Sequence, residues 1–280
     1  MFATLMTVPL WYSALIAFGF GVIIGSFLNV VIYRFHTGKS LNGSSHCLTC
    51  QTDLRWYELF PLISYLMLRG RCRSCSAVIP SRYLWVELAT GLLFVLVVVM
   101  LSPWYWFFSF ILVSILVVVA VYDLYHMVIP NFFVGLLIAI AFSLTVLNYL
   151  VLPDWQTILW QLAAGLLSYG FFASLWFFSK GRWIGYGDAK LAFPLGYMVG
   201  LLGAFSMVVL SFWIGTIISL SLIGYTWLKQ KRGQSTLRFS TQPLTMKSEV
   251  PFAPFLIIAF FLVYLFGVDV LMFISYALPV

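Results

Sequence analysis

Charge is the scarcest feature of this sequence. Only 8% of its 280 residues are Asp, Glu, Lys or Arg, while 63% are hydrophobic. A soluble domain carries about 25% charged residues, so this composition excludes an ordinary soluble enzyme. We expect membrane lipid to surround most of the chain. The net charge of +7 therefore does not indicate nucleic acid, and we predict no nucleic-acid partner.

Basic residues are absent from long stretches of the chain. All fifteen Lys and Arg fall in three blocks, Arg34–Arg82, Lys180–Lys190 and Lys229–Lys247. Positively charged loops stay on the cytoplasmic side of a membrane, so we expect all three blocks on that side and both termini on the other. Apolar runs near the ~20 residues that cross a bilayer then predict about eight transmembrane helices, at about 8–32, 83–101, 105–122, 131–151, 157–178, 191–204, 206–228 and 252–276.

The first of these segments is predicted to be a retained span. It is too long for the apolar region of a signal peptide and lacks both a basic start and a small-residue cleavage site. The sequence also contains no internal repeat and no low-complexity stretch. These features predict an all-α polytopic membrane protein.

Cysteine is missing everywhere except in the first basic block. The four cysteines form two CxxC pairs with 21 residues between them, one more than the usual spacing of a zinc ribbon; they are Cys47, Cys50, Cys72 and Cys75. Two disulfides are disfavoured in a reducing cytosol, and four idle thiols would not cluster in one loop. We predict a structural zinc site that closes its own coordination shell and folds a small, zinc-ribbon-like cytoplasmic loop domain.

The acidic residues are few enough to consider one by one. Two of the eight acidic residues, Asp123 and Asp188, fall at the cytoplasmic ends of predicted spans. Two membrane crossings lie between them, so the chain returns to the same side. A carboxylate at such a depth indicates a function. Two carboxylates brought close together share a proton, so that one can activate water while the other protonates a carbonyl. The alternative is that each merely caps a helix N-terminus.

The neighbourhood of Asp188 strengthens the catalytic interpretation. Gly185 and Gly187 alternate with Tyr186 before it, which gives a GxGD motif at a membrane edge. Glycine lets a backbone approach and bend closely. Gly21 and Gly25 could be mistaken for part of a glycine-rich dinucleotide-binding motif, but they lie inside the first span with no preceding strand. Their position favours close packing between helices instead.

Together these motifs closely resemble bacterial type IV prepilin peptidases, also called leader peptidase/N-methyltransferases, over nearly the whole chain. The matching stretches are Gly25–Arg34, the two CxxC pairs with Pro61–Tyr65 and Arg69–Cys72 between them, Asp123 with Ile129–Asn131, the GxGD block with Lys190, and Pro251–Phe255. Leu48 stands where the family often has proline.

The resemblance implies a bifunctional enzyme of the bacterial inner membrane that serves type IV pilus or type II secretion systems. It implies that prepilin or pseudopilin proteins lose a short basic leader at the cytoplasmic face, and that the new N-terminus is methylated from S-adenosylmethionine. Asp123 and Asp188 would be the aspartyl dyad. The methyl-donor site is predicted only as a region, around Asn29, Arg34, Glu58 and Glu87.

The resemblance also implies a division of the chain. Residues 1–33 would form a first transmembrane helix, 34–82 the four-cysteine loop associated with methyl transfer, and 83–280 the peptidase domain. Two other functions compete with this one. A proton-coupled transporter would need its acids near mid-membrane, and a secretion-system scaffold would use the zinc loop only for docking.

Overall fold

Helices make up almost all of the regular structure in the computed structural model, which describes residues 9–37, 40, 43, 45–231 and 250–272. The α-helices of these ranges are α1 (Leu10–Thr37), α2 (Ile63–Met67), α3 (Arg82–Met100), α4 (Pro103–His126), α5 (Asn131–Val151), α6 (Trp155–Ser179), α7 (Tyr186–Lys231) and α8 (Ala253–Phe266), with a 3-10 turn at Trp56–Leu59. Among the described residues, extended pairing is limited to two isolated bridges in the cysteine loop. The predicted all-α class is confirmed.

Six of the described helices, α1 and α3 to α7, are long and apolar enough to cross a membrane. α7 is 46 residues long and is broken at Gly200, whose φ of 71° belongs to a left-handed region that glycine enters without strain. The predicted sixth and seventh spans, 191–204 and 206–228, therefore belong to one helix, and its break at Gly200 lies inside the predicted sixth span rather than between the two. α8 has 14 residues, about 21 Å of helix, and is shorter than predicted.

Some predicted features lie outside the described residues. They are both termini with residue 8 of the first predicted span and residues 273–276 of the eighth, Lys39 of the first basic block, and residues 232–247 of the third.

The chain forms two compact units that divide between Val121 and Tyr122. In the first unit, α1 and α3 pack at very short range. A Cβ built on Gly21 would lie 2.9 Å from Gly91 Cα, and one on Gly25 would lie 2.8 Å from Glu87 Cα, so neither position has room for a side chain. The helix-packing interpretation of Gly21 and Gly25 is confirmed.

The second unit contains the last turn of α4 and helices α5 to α8. α7 packs against α5, α6 and α8, and its core includes Phe172, Leu195 and Phe260, which are fully buried. α5 and α6 each cross the unit once between α4 and α7. The chain thus returns, at the start of α7, to the end of the unit at which α4 finished.

Candidate functional sites

Asp123 lies in the last turn of α4 and is only 5% exposed. The backbone N–H of Ala253 lies close to its carboxyl group. Its Oδ2 atom is buried and has no hydrogen-bond partner among the described residues. Buried polar atoms are rarely left unpaired, so this oxygen is available to a water molecule or to a substrate.

The first turn of α8 supplies that N–H, which the sequence analysis did not identify. Phe252 packs against both Phe172 and Phe212, with ring centroids 5.6 and 5.2 Å away, and fixes where α8 begins. Helix N-termini carry unpaired N–H groups and partial positive charge. The available signal was Pro254, which lies in the first turn of α8 and is typical of a helix start.

Asp188 lies in the first turn of α7 and is 6% exposed. Its backbone N–H donates to Gly185 O at 3.2 Å, and its carboxyl group accepts from the Gly185 N–H. Asp188 is thus the third residue of its helix, where its carboxyl group faces the unpaired N–H groups of the helix start. Capping does not account for Asp123, which ends α4 rather than beginning a helix.

The second unit brings these two aspartates, 65 residues apart in sequence, close enough to interact electrostatically. The approach depends on Gly187. A Cβ built there would lie 3.2 Å from Ile129 Cβ and 3.3 Å from its Cγ1 and Cδ1. Since Ile129 follows Asp123 in the turn between α4 and α5, the absence of a side chain at position 187 lets the Asp188 turn pack against it.

A set of polar contacts joins the start of α5 to the start of α7. Lys190 Nζ donates to Asn131 Oδ1 at 2.9 Å and lies 4.7 Å from the centre of the Tyr186 ring. Tyr186 in turn shares a 2.8 Å hydrogen bond with the Tyr169 hydroxyl. These contacts tie the first turns of α5 and α7 to α6, beside the buried carboxylates.

In the first unit, the two CxxC pairs form matching turns. Gln51 N–H donates to Cys47 O, and Ser76 N–H donates to Cys72 O, both at 2.9 Å. The residue after each second cysteine has a left-handed φ, 59° at Gln51 and 56° at Ser76. The two turns bring all four sulfur atoms within 4.8 Å of one another.

The sulfur geometry fits one tetrahedral metal ion. Cys47 Sγ and Cys75 Sγ lie 3.8 Å apart, which is about the separation of two sulfurs that each lie ~2.3 Å from a zinc ion. A disulfide would need ~2.05 Å, and all four cysteines are free. The four-cysteine cluster can therefore hold a metal ion.

The charges within the cluster favour a cation. Hydrogen bonds from the Thr52 hydroxyl and backbone lower the pKa of Cys50 to about 6. A backbone hydrogen bond from Ala77 lowers the pKa of Cys75, but desolvation and the three neighbouring sulfurs outweigh it and raise that pKa to about 11. Four thiolates cannot ionise together at neutral pH unless a positive ion compensates their repulsion.

A cavity of about 400 Å³ lies between the cysteine turns and the helix pair α1 and α3, within the first unit. Asn29, Arg34, Glu58 and Glu87, the residues named for the methyl-donor region, all line it. Sequence reasoning did not identify Ser26, which also lines the cavity and hydrogen-bonds to Glu87.

Comparison with known proteins agrees with both units. Residues 20–101 match the model of the bacterial peptidase A24 N-terminal domain, and residues 110–220 match that of the type IV leader peptidase family. A type 4 prepilin-like proteins leader peptide-processing enzyme of Escherichia coli is 34% identical over 255 residues, which cover 78% of this chain and 86% of the relative. The chain belongs to the type IV leader peptidase family.

Two further relatives carry the name prepilin leader peptidase/N-methyltransferase. The protein of Myxococcus xanthus is 37% identical over 204 residues, which cover 69% of this chain and 56% of the relative. The protein of Aeromonas salmonicida is 28% identical over 92% of each chain. No solved structure matches the chain. Family membership and the six span-length helices make this a multi-pass inner-membrane protein.

Proposed function

We propose that this chain removes the leader peptide of prepilin-like proteins and N-methylates the new N-terminal residue, with Asp123 and Asp188 as its hydrolytic pair. One observation carries the assignment of the pair. Two buried carboxylates interact across 65 residues of sequence, and Asp123 Oδ2 is buried without a partner among the described residues. A buried unpaired carboxylate oxygen is costly unless substrate or water uses it.

The two carboxylates divide the hydrolytic work. Asp123 Oδ2 takes a proton from a water molecule, whose oxygen attacks the carbonyl carbon of the scissile bond, while a protonated Asp188 donates to the carbonyl oxygen. The C–N bond then breaks and its nitrogen receives a proton from the pair. The N–H groups of Ala253 and Gly185 lie beside the two carboxylates and favour their ionised forms.

In this proposal the active site opens at the cytoplasmic face, because the basic blocks stay on that side. A basic leader is held there by the same rule, and the apolar segment that follows it lies in lipid. Backbone at the junction must leave its helix before water attacks. Glycine or another small residue just before the cut is therefore favoured.

The cysteine turns serve a structural role in the same proposal. Cys47, Cys50, Cys72 and Cys75 would bind zinc, which joins the two turns and leaves no open position for chemistry. The methyl donor would be S-adenosylmethionine. The proposed division by function is into residues 1–33, 34–82 and 83–280, whereas the two compact units divide between Val121 and Tyr122.

Co-expression of the chain with a prepilin tests the function. Mass spectrometry of the recovered pilin is expected to show loss of the leader and the mass increase of one methyl group. A full-length, unmethylated prepilin in the presence of abundant membrane-inserted protein contradicts the proposal. A transporter or a scaffold would give that result.

A further inference from the structure

The stretch between the two CxxC pairs exposes large apolar side chains, although it lies outside the spanning helices. Its 3-10 turn and α2 fall within residues 56–67, which we call the apolar segment. Side chains of this segment that are 44 to 79% exposed are Trp56, Leu59, Phe60, Ile63, Leu66 and Met67. A contiguous exposed apolar surface of this kind indicates an interaction site.

The apolar segment has two different sides. On α2, Ile63, Leu66 and Met67 are spaced three and four residues apart and therefore share one side of the helix, and all three are exposed. Tyr65 lies on the other side, where its hydroxyl donates to Ile79 O at 3.4 Å. One side of the segment is thus attached to the cysteine loop, and the other faces away from the protein.

Contact with α3 sets the depth of the apolar segment. Leu62, in the middle of the segment, donates its backbone N–H to Glu87 Oε2 at 2.8 Å. Glu87 lies more than one turn inside α3, which starts at Arg82 and is long and apolar enough to span the membrane. Trp85 on the same part of α3 is 63% exposed, and tryptophan is typical of the boundary between lipid and water. The segment therefore lies at the level of the membrane surface.

A strained turn at Leu62 orients the segment. Its φ of 59° and ψ of −51°, together with a 2.6 Å hydrogen bond from the Ile63 N–H to Pro61 O, form a three-residue γ-turn of the rare, strained kind. Such strain persists only where surrounding contacts hold it, and the hydrogen bond to Glu87 is such a contact. The exposed side of α2 therefore belongs to a rigid surface.

Arginines surround the apolar segment. Between residues 55 and 73 the sequence has one acid, Glu58, and four arginines, all exposed, which are Arg55, Arg69, Arg71 and Arg73. Tyr57 orients two of them, because its hydroxyl accepts from Arg55 Nη1 and from Arg73 Nη1, each at 3.0 Å. An apolar surface edged by arginines is typical of a segment that lies in a membrane interface and attracts anionic lipid.

We propose that the apolar segment lies in the membrane surface beside the cysteine turns, with its exposed side chains among the lipid acyl chains and its arginines on anionic headgroups. The depth set by Glu87 favours lipid over a protein partner, because lipid surrounds a spanning helix at that level. Leu59 and Tyr65 also line the cavity of the first unit. The same segment therefore faces the cavity on one side and lipid on the other.

Photo-cross-linking of the full chain tests the proposal, after reconstitution with prepilin in phosphatidylcholine bilayers that contain a minority of phosphatidylglycerol. An amino acid with a diazirine side chain replaces Met67, Phe107 or Gln51, one at a time. All three positions are exposed; Phe107 lies on the spanning helix α4 and Gln51 follows Cys50. Mass spectrometry should find lipid adducts at position 67 in a yield close to that at 107, and none at 51. Cross-links from position 67 mainly to prepilin or to a second copy of the chain, or no lipid adducts there, overturn the proposal.

The same bilayers test the headgroups. Phosphatidylglycerol should be enriched among the lipid adducts at position 67 by about twofold or more over its share at position 107, because nearby arginines attract it. Arg69→Gln with Arg71→Gln should remove this enrichment. Arg182→Gln is the control, since it removes an exposed arginine of the second unit, and it should leave the enrichment unchanged. Enrichment that survives the double substitution, or that is missing in the unaltered chain, overturns the role of the arginines.

Discussion

Gly187→Ala tests the geometry that brings the two aspartates together. The added Cβ would lie 3.2 to 3.3 Å from three atoms of Ile129, whereas carbon atoms rest comfortably at about 3.5 to 4.0 Å. The first turn of α7 must then move by a few tenths of an ångström and carry Asp188 with it. Misplacement of a reacting group by ~1 Å can cost 10²-fold in rate, so we expect cleavage to fall about tenfold.

The expected change in stability is smaller than the change in rate. Overpacking a buried contact costs about 1–3 kcal/mol, while replacing glycine by alanine in a helix regains about 1 kcal/mol. The net destabilisation should therefore stay near or below about 2 kcal/mol. A folded variant with impaired cleavage is the predicted result.

Initial rates of prepilin cleavage at matched enzyme concentration, together with thermal unfolding, measure both effects. Gly135→Ala and Gly170→Ala are the controls, because a Cβ at either position meets no atom within 4 Å; both should cleave normally. Adding Ile129→Val to Gly187→Ala removes one of the crowding atoms and should restore part of the rate. Normal cleavage by Gly187→Ala alone would refute the close-approach argument.

Three further predictions concern the metal, the pH dependence and the topology. Elemental analysis should find about one zinc ion per chain, and Cys72→Ser with Cys75→Ser should abolish it and impair methylation more than cleavage; zero zinc in protein with reduced thiols contradicts the site. Cleavage should fall at both acidic and alkaline pH, because one carboxyl must be protonated and the other ionised; a rate that does not change with pH contradicts a shared proton. A cysteine in place of Ser102 should react with a membrane-impermeant maleimide in intact spheroplasts, and one in place of Arg182 only after permeabilisation; the reverse pattern contradicts the topology.

Features set by composition and spacing were predictable from the sequence. The scarcity of charge and the three basic blocks predicted a helical membrane protein, and two CxxC pairs predicted the cysteine cluster. Two crossings between Asp123 and Asp188 predicted that both would lie at the same end of the second unit. Each of these predictions rests on local geometry, either the length of a membrane span or the turn formed by a CxxC pair.

Features that depend on contacts between distant segments were not predictable. Nothing in the sequence near Asp123 indicates that its partner is the backbone N–H of Ala253, about 130 residues away. Glu87 could have formed an ion pair with Arg82, and its hydrogen bonds to Leu62 and Ser26 follow from how the cysteine loop folds onto α1 and α3. The break at Gly200 likewise depends on the packing of α7, because glycine permits a left-handed φ but does not require it.

The most direct test of the central claim is prepilin cleavage by Asp123→Asn and Asp188→Asn. Each substitution removes one ionisable group and keeps nearly the same shape, and Asp154→Asn makes the same change outside the site. At equal membrane abundance, mass spectrometry should find that the pilin keeps its leader with either dyad variant. The cleavage rate should fall by about 10³-fold or more, as expected for the loss of a general acid or base. Asp154→Asn should cleave at the full rate. Near-normal cleavage by either dyad variant would contradict the account.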